Sequence, residues 1–343
     1  MTVLIVGGGA VGSFLGWALA SGGRDVAIVR RQLAGGPVRA DLAVVESAGR
    51  SRTANVLEVR DPGELSSAPE LILFAVKMYD LDAAIGACAA WPKAPALTVQ
   101  NGVGAEELVL GQRPATGVIA GSLATAVERF GPGEIRRLRR GGLGLAPVRG
   151  TVDGLVAELG RPFTASGLPV RQFRDPDAMK WSKLLANLIA NATAAIVDLD
   201  PARIYGHPGL FDIEHRQLRE AIAVMGRLGL RPVALPGADA RLLSLVTSLP
   251  GRLSQQILRR FVGRARGGKD PSLRVQVTAG SGPSEVDWLN GAVARAAARV
   301  GIEATVNRRL TGLVTEVLAN PDRRAWFRGH PDRLVEAMTD QAG

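Results

Sequence analysis

Val3-Leu4-Ile5-Val6-Gly7-Gly8-Gly9-Ala10-Val11-Gly12-Ser13-Phe14-Leu15-Gly16 decides the fold. Residues 2–6 form a short apolar run suited to a buried strand. Ser13–Ser21 is rich in apolar helix formers and stops at Gly22-Gly23. Strand, glycine turn and helix thus follow one another without a gap. Gly7, Gly9 and Gly12 have the Gly-x-Gly-x-x-Gly spacing. One glycine serves a tight turn, one lets backbone approach a pyrophosphate, and one lets the helix lie close on the strand. Unpaired N–H groups around Ala10, Val11 and Gly12, at the positive end of the helix dipole, suit phosphate oxygens. The spacing alone is common; directly between a strand and a helix it predicts a dinucleotide site.

Working outward, short apolar runs recur at Asp25–Val29, Leu42–Glu46, Thr53–Val59, Leu71–Val76 and Ala96–Val99, with a helix expected over 80–90. Alternating short strands and helices imply a parallel α/β sheet of Rossmann type. Residues 117–148 read as an antiparallel β edge turning at Gly131-Pro132-Gly133. The character changes near Arg174. Asp175-Pro176 is a helix start, and one helical run continues to about Val197. Further helices are expected at 212–229, 238–248, 252–262, 284–300, 304–319 and 331–338. The expected division is 1–170 for a Rossmann domain that binds a dinucleotide and 171–343 for an all-helical domain.

Composition narrows the classes. The chain has 343 residues, 46% apolar and 22% charged, enough apolar surface for two cores. One cysteine and three histidines exclude an intrachain disulfide and argue against a metal centre. The expected setting is cytoplasmic. The apolar N-terminus has no basic leader and is cut by glycines, so a signal peptide or membrane span is a poor reading. The net charge is +10, yet only five of the 42 basic residues are lysine and aromatics are 4%. The arginines are spread along the chain rather than focused in a stripe, so nucleic acid is not expected as a partner. An anionic small molecule is the better use of the charge. The basic segment Arg252–Lys269 reads as a ligand-facing connection or as a solvated surface run.

Charged and amide residues fall where a ligand would lie. Arg30 and Arg31 end the second strand, where an NAD enzyme usually carries an acid for the ribose 2′-hydroxyl. A guanidinium pairs instead with a 2′-phosphate, so NADP is expected over NAD. Lys77 and Asn101 end later strands and are candidates for the cofactor's ribose, phosphate or nicotinamide side. Lys183, Asn187 and Asn191 are spaced i, i+4, i+8 on the expected long helix, one polar face with Lys183 as candidate general acid. Ser284 is a candidate N-cap for the 284–300 helix, with Glu285 in its first turn.

Taken in order, these stretches resemble the ketopantoate reductase (2-dehydropantoate 2-reductase) family: VLIVGGGAVGSFLG, Arg30, AVKMYD around Lys77, QNGVGAEE around Asn101, KWSKLLANLIAN around Lys183 and SEVDWLNGAV around Glu285. The resemblance runs from residue 2 to about residue 318. It implies a Rossmann domain, a helical C-terminal domain and an active site between them. It further implies NADPH-dependent reduction of ketopantoate to (R)-pantoate in pantothenate and CoA biosynthesis, with Lys183 as proton donor and Glu285 working with it. Asn187 and Asn191 are implied on the substrate side. Departures fall there too. Ser272 stands for the family's serine with one residue of extra spacing to Glu285, Lys269 stands near the usual asparagine, and Ala192 replaces a proline. Ser272 and Lys269 are therefore candidates for the substrate's carboxylate, and the substrate's identity stays open. A reductase of another 2-keto acid and a non-catalytic NADP-binding regulatory protein are the alternatives; a homodimer is an open expectation for oligomeric state.

Overall fold

In the computed structural model the described residues are 2–46, 49–150, 152–265, 270–280 and 282–339, with backbone alone at 153 and 261–265. The chain forms two compact units, residues 1–180 with 235–238, and residues 181–234 with 239–343.

The first unit holds the strands β1 (Thr2–Val6), β2 (Asp25–Val29), β3 (Val38–Glu46), β4 (Ser51–Val59), β5 (Leu71–Phe74), β6 (Ala96–Thr98), β7 (Val118–Leu123), β8 (Ala126–Gly131), β9 (Glu134–Arg139), β10 (Leu143–Arg149) and β11 (Val170–Gln172). They form one sheet in the order β11-β10-β7-β6-β5-β1-β2-β4-β3-β9-β8. From β7 to β4 every neighbouring pair is parallel. The strand order reverses at β1, which lies between β2 and β5. A ligand crevice is expected outside the carboxyl ends of the strands at such a point. The expected antiparallel edge divides in two. β7 pairs with β10 and β8 with β9, at opposite ends of the sheet. β7 also runs parallel to β6, and β9 parallel to β3.

Four helices complete this unit: α1 (Ala10–Ser21), α2 (Leu81–Ala87), α3 (Ala105–Gln112) and α4 (Asp153–Ala165). Phe14, Leu15, Trp17, Ala18 and Leu19 of α1 are all buried, because strands and α4 both pack against the helix. Each large apolar side chain so enclosed stabilises the fold by about 1.5–3 kcal/mol. Trp17 also donates to Arg52 O at 2.9 Å.

α5 (Pro176–Leu188) starts as the sequence predicts, with Asp175 Oδ1 accepting from Ala178 N at 2.9 Å. Its end corrects the expectation. The helix stops at Leu188, and α6 (Ala192–Val197) is separate. Between them Ala190 is left-handed at φ 45°. Tertiary bonds take the place of the helical ladder: Glu214 accepts from Ala190 N at 2.7 Å, and Gln217 donates to Leu188 O at 3.3 Å.

The rest of the second unit is α7 (Pro201–Gly206), α8 (Pro208–Arg227), α9 (Ala240–Thr247), α10 (Gly251–Ala265), α11 (Ser272–Ala279), α12 (Asn290–Arg299), α13 (Thr305–Ala319), α14 (Pro321–Phe327) and α15 (Pro331–Thr339). The expected 284–300 helix is also divided. Val286–Trp288 is a single 3-10 turn, and α12 starts only at Asn290. Asn290 is pinned there by Gln217 Oε1 at 2.8 Å and Asn307 Oδ1 at 3.0 Å. Residues 320–339, past the stretch that carries the resemblance, belong to the helical packing: Phe327, Leu334 and Met338 are buried, and Gly329 N donates to Val197 O at 2.8 Å. No described helix is long and apolar enough to cross a membrane.

Candidate active site

In the first unit, parallel strands put several carboxyl ends on one sheet edge. The glycine turn follows β1, Arg30 follows β2, Lys77 comes after β5 and Asn101 after β6. Gly7 has φ +117°, and a Cβ there would lie 2.6 Å from Val76 N. A Cβ on Gly12 would stand 1.9 Å from Gly7 O, so α1 begins pressed onto the turn. Gly9 is different. A Cβ there meets nothing within 4 Å, while its backbone is ordinary extended chain at φ −73°. Open space in front of the first turn of a helix is a cradle for a phosphate, and the residues fit a dinucleotide.

Arg30 lies across this turn. Its Nη1 donates to Gly8 O, its Nη2 to Ser13 Oγ at 3.2 Å, and its Nε to the Glu58 carboxylate. Arg31 is 76% exposed and reaches Asp80 at 3.5 Å. Lys77 is exposed at the start of a 3-10 turn, and Asn101 is half-buried.

Behind this edge is a buried polar network. Gln100 Nε2 donates to Phe74 O at 2.9 Å and Val76 O at 3.2 Å, tying the end of β6 to the residues before Lys77. Lys180 Nζ donates to Gln100 O at 2.9 Å and lies 3.0 Å from Glu106 Oε1, which accepts from Thr98 Oγ1 at 2.5 Å. Lys180 is 3% exposed and Glu106 6%. Partial burial, with Asp175 and Glu106 nearby, holds the Asp177 carboxyl above its ordinary range.

In the second unit, Lys183 and Asn187 share one face of α5, both half-buried. Asn191 does not continue that face, because it lies past the break; it is 3% exposed, and its Oδ1 accepts from Leu273 N at 3.1 Å. The shared helical stripe expected for Asn191 is therefore replaced by a tertiary contact, which places it beside Ser272 at the start of α11. Glu285 is 3% exposed, just ahead of the 3-10 turn. Ser284 Oγ accepts from Val286 N at 3.1 Å, a local turn across Glu285; Glu285, not Ser284, stands at the cap position of the 3-10 turn, so the expected N-cap role of Ser284 on a long helix is not seen. Lys269 lies outside the described residues.

The sequence reading did not single out Ser13, Glu58, Gln100, Glu106, Lys180 or Glu214. One signal was present for Lys180. It is one of only five lysines in an arginine-rich chain, and it stands three residues before Lys183.

A Rossmann-type sheet with a phosphate cradle, joined to a helical unit bearing a lysine and a buried glutamate, defines a dinucleotide-dependent oxidoreductase. The family model "Ketopantoate reductase PanE/ApbA" matches residues 3–150, and "Ketopantoate reductase PanE/ApbA C terminal" matches residues 175–318. The chain belongs to the ketopantoate reductase family and is an oxidoreductase of the 2-dehydropantoate 2-reductase type, acting on a CH–OH group. It is 29% identical over 317 residues to the 2-dehydropantoate 2-reductase of Halobacterium salinarum, covering 92% of this chain and 98% of that protein. It is 25% identical over 323 residues to that of Pyrococcus horikoshii, covering 92% and 96%. Among solved structures, a PanE/ApbA family ketopantoate reductase from Ralstonia eutropha JMP134 superposes with TM-score 0.75 at 26% identity, over 95% of this chain and all of that one. D-mandelate dehydrogenase, in a ternary structure with NADH and anilino(oxo)acetate, shares the fold at TM-score 0.75 and 18% identity, over 93% and 98%.

Proposed function

We propose that the protein reduces a 2-keto acid to a 2-hydroxy acid with NADPH, and that 2-dehydropantoate, giving (R)-pantoate for pantothenate and CoA synthesis, is the lead substrate. The observation that carries this reading is the phosphate cradle at Gly9 with Arg30 lying across it, in a chain that matches both halves of the family. The Gly7–Gly12 turn would hold a nicotinamide cofactor, which would supply the hydride for the keto carbon. The chain's own part is to meet the negative charge that develops on the keto oxygen. Lys183, as an ammonium, stabilises that charge and donates the proton. Glu285 orients Lys183, and Asn187, Asn191 and Ser272 serve the substrate side. Lys77 and Asn101 serve the cofactor.

The test is NADPH oxidation with 2-dehydropantoate and a panel of other 2-keto acids, on wild type and Lys183→Ala. The variant is expected to bind NADPH normally and lose most turnover. Turnover near wild type would refute the assignment of Lys183. The second reading, a different 2-keto acid, is favoured by the departures at Ser272 and Lys269. It is adopted when 2-dehydropantoate is inert and another panel member turns over.

A further inference from the structure

The end of β2 carries Arg30 and Arg31 and no acid, but the fold brings an acid to the same place from another strand. β4 runs parallel to β2, with Ile28 opposite Glu58 and Val29 opposite Val59. Arg30 N donates to Val59 O at 2.7 Å, which locks the two strand ends together. The Glu58 side chain is thereby held at the ligand edge, 14% exposed, and its carboxylate takes Arg30 Nε. The remaining guanidinium nitrogens are engaged by Gly8 O and Ser13 Oγ. A Cβ on Gly8 would lie 2.7 Å from Arg30 Nη1, so the guanidinium rests directly on the turn.

We propose that Glu58 is a specificity-determining residue of the cofactor site. It offers the acceptor for a ribose 2′-hydroxyl that the end of β2 lacks, and it competes with a 2′-phosphate for Arg30. A 2′-phosphate gains Arg30 only by drawing it from Glu58, and it must then stand beside a carboxylate of its own sign. A 2′-hydroxyl donates to Glu58 and leaves the ion pair intact. The site therefore takes NADH as well as NADPH, with a narrower preference than two arginines alone would give. This rests on the dinucleotide reading of the glycine turn, and it qualifies the NADPH preference without requiring it.

The test is direct binding of NADPH and NADH by isothermal titration calorimetry to wild type, Glu58→Gln and Glu58→Ala. Glu58→Gln keeps the shape and removes the charge. It is expected to raise the ratio of NADPH to NADH affinity about tenfold, the scale of one charge-assisted hydrogen bond. Glu58→Ala is expected to move the ratio the same way. A ratio that stays put, or an equal loss of both affinities, overturns the proposal and leaves Glu58 a structural partner of Arg30. A wild type that favours NADH removes the NADPH part of the proposed function, yet supports this inference when Glu58→Gln shifts the ratio toward NADPH. A wild type that binds neither nucleotide removes both.

Discussion

Two glycines of the same turn differ in what a methyl group would meet, and the difference separates folding from ligand binding. At Gly9 the backbone is extended and a Cβ meets nothing within 4 Å. Gly9→Ala is therefore expected to cost only about 0.5–1 kcal/mol, the difference between glycine and alanine at a helix N-cap. The new methyl group nevertheless stands in the space where a phosphate must approach the first N–H groups of α1. Losing one such charge-assisted bond costs about 1.5–3 kcal/mol, or about 10–100-fold in affinity. At Gly12 a Cβ lies 1.9 Å from Gly7 O and 3.1 Å from the Ala75 Cβ. Backbone must move, and overpacking of this kind costs about 1–3 kcal/mol or more. For a unit of this size each kcal/mol lowers the melting temperature by about 2–4 °C. Calorimetric titration with NADPH and thermal melts of both variants decide. Gly9→Ala should melt within a few degrees of wild type and bind poorly; Gly12→Ala should melt well below both. A Gly9→Ala protein that binds NADPH as tightly as wild type refutes the cradle.

Lys180→Met leaves the Glu106 carboxylate buried without its cation, which costs about 3–5 kcal/mol; the melting temperature should fall by about 10 °C, and Glu106→Gln combined with Lys180→Met should recover much of it. Burial pushes the Cys88 thiol up to about 11 from its ordinary 9.0. The folded state thus keeps its proton longer than the unfolded chain, so the contribution is complete below about pH 9 and is lost toward about pH 11; urea midpoints across that window should fall in wild type and fall less in Cys88→Ala. Glu214→Gln removes one acceptor from the break after α5 and should lower kcat/KM for the keto acid more than cofactor affinity. Ala190→Gly in that background, which relieves the left-handed strain of about 1–2 kcal/mol, should restore part of it, and no restoration would count against a positioning role for Glu214.

The strand, turn and first helix were legible because Gly7–Gly12 must do all its work locally. The ends of β5 and β6 were legible for the same reason, since an unbroken apolar run gives way to Lys77 and to Asn101-Gly102. α4 was not legible. Its sequence, Asp-Gly-Leu-Val-Ala-Glu-Leu-Gly-Arg-Pro-Phe-Thr-Ala, has two glycines and an internal Pro162, all poor helix formers. It is held by packing on α1, close enough that a Cβ on Gly22 would lie 2.5 Å from Pro162 Cα. The end of α5 misled in the opposite direction. Leu185 to Val197 contains neither glycine nor proline and reads as one helix. The break comes from Glu214 and Gln217, more than twenty residues on, which no local pattern encodes. Glu58 escaped notice because its meaning lies in a strand pairing 28 residues from Arg30.

Three of the groups that sequence missed have a common character. Glu106 with Lys180 in the first unit, and Glu214 in the second, are buried charged residues, not spare surface polarity. Stability alone is a poor reason to keep them, since apolar replacements for buried ion pairs are often neutral or better. Their bonds instead fall on backbone adjoining the candidate site residues. Lys180 holds the carbonyl of Gln100, one residue before Asn101. Glu214 holds the amide of Ala190, between Asn187 and Asn191. A hydrogen bond to a main-chain group fixes position where an apolar contact would let it slide, and general acid chemistry is sensitive to displacements of about 1 Å. The local burden of these charges is therefore best accounted for by placement: the polar core sets the backbone, and the backbone sets the side chains of the candidate site.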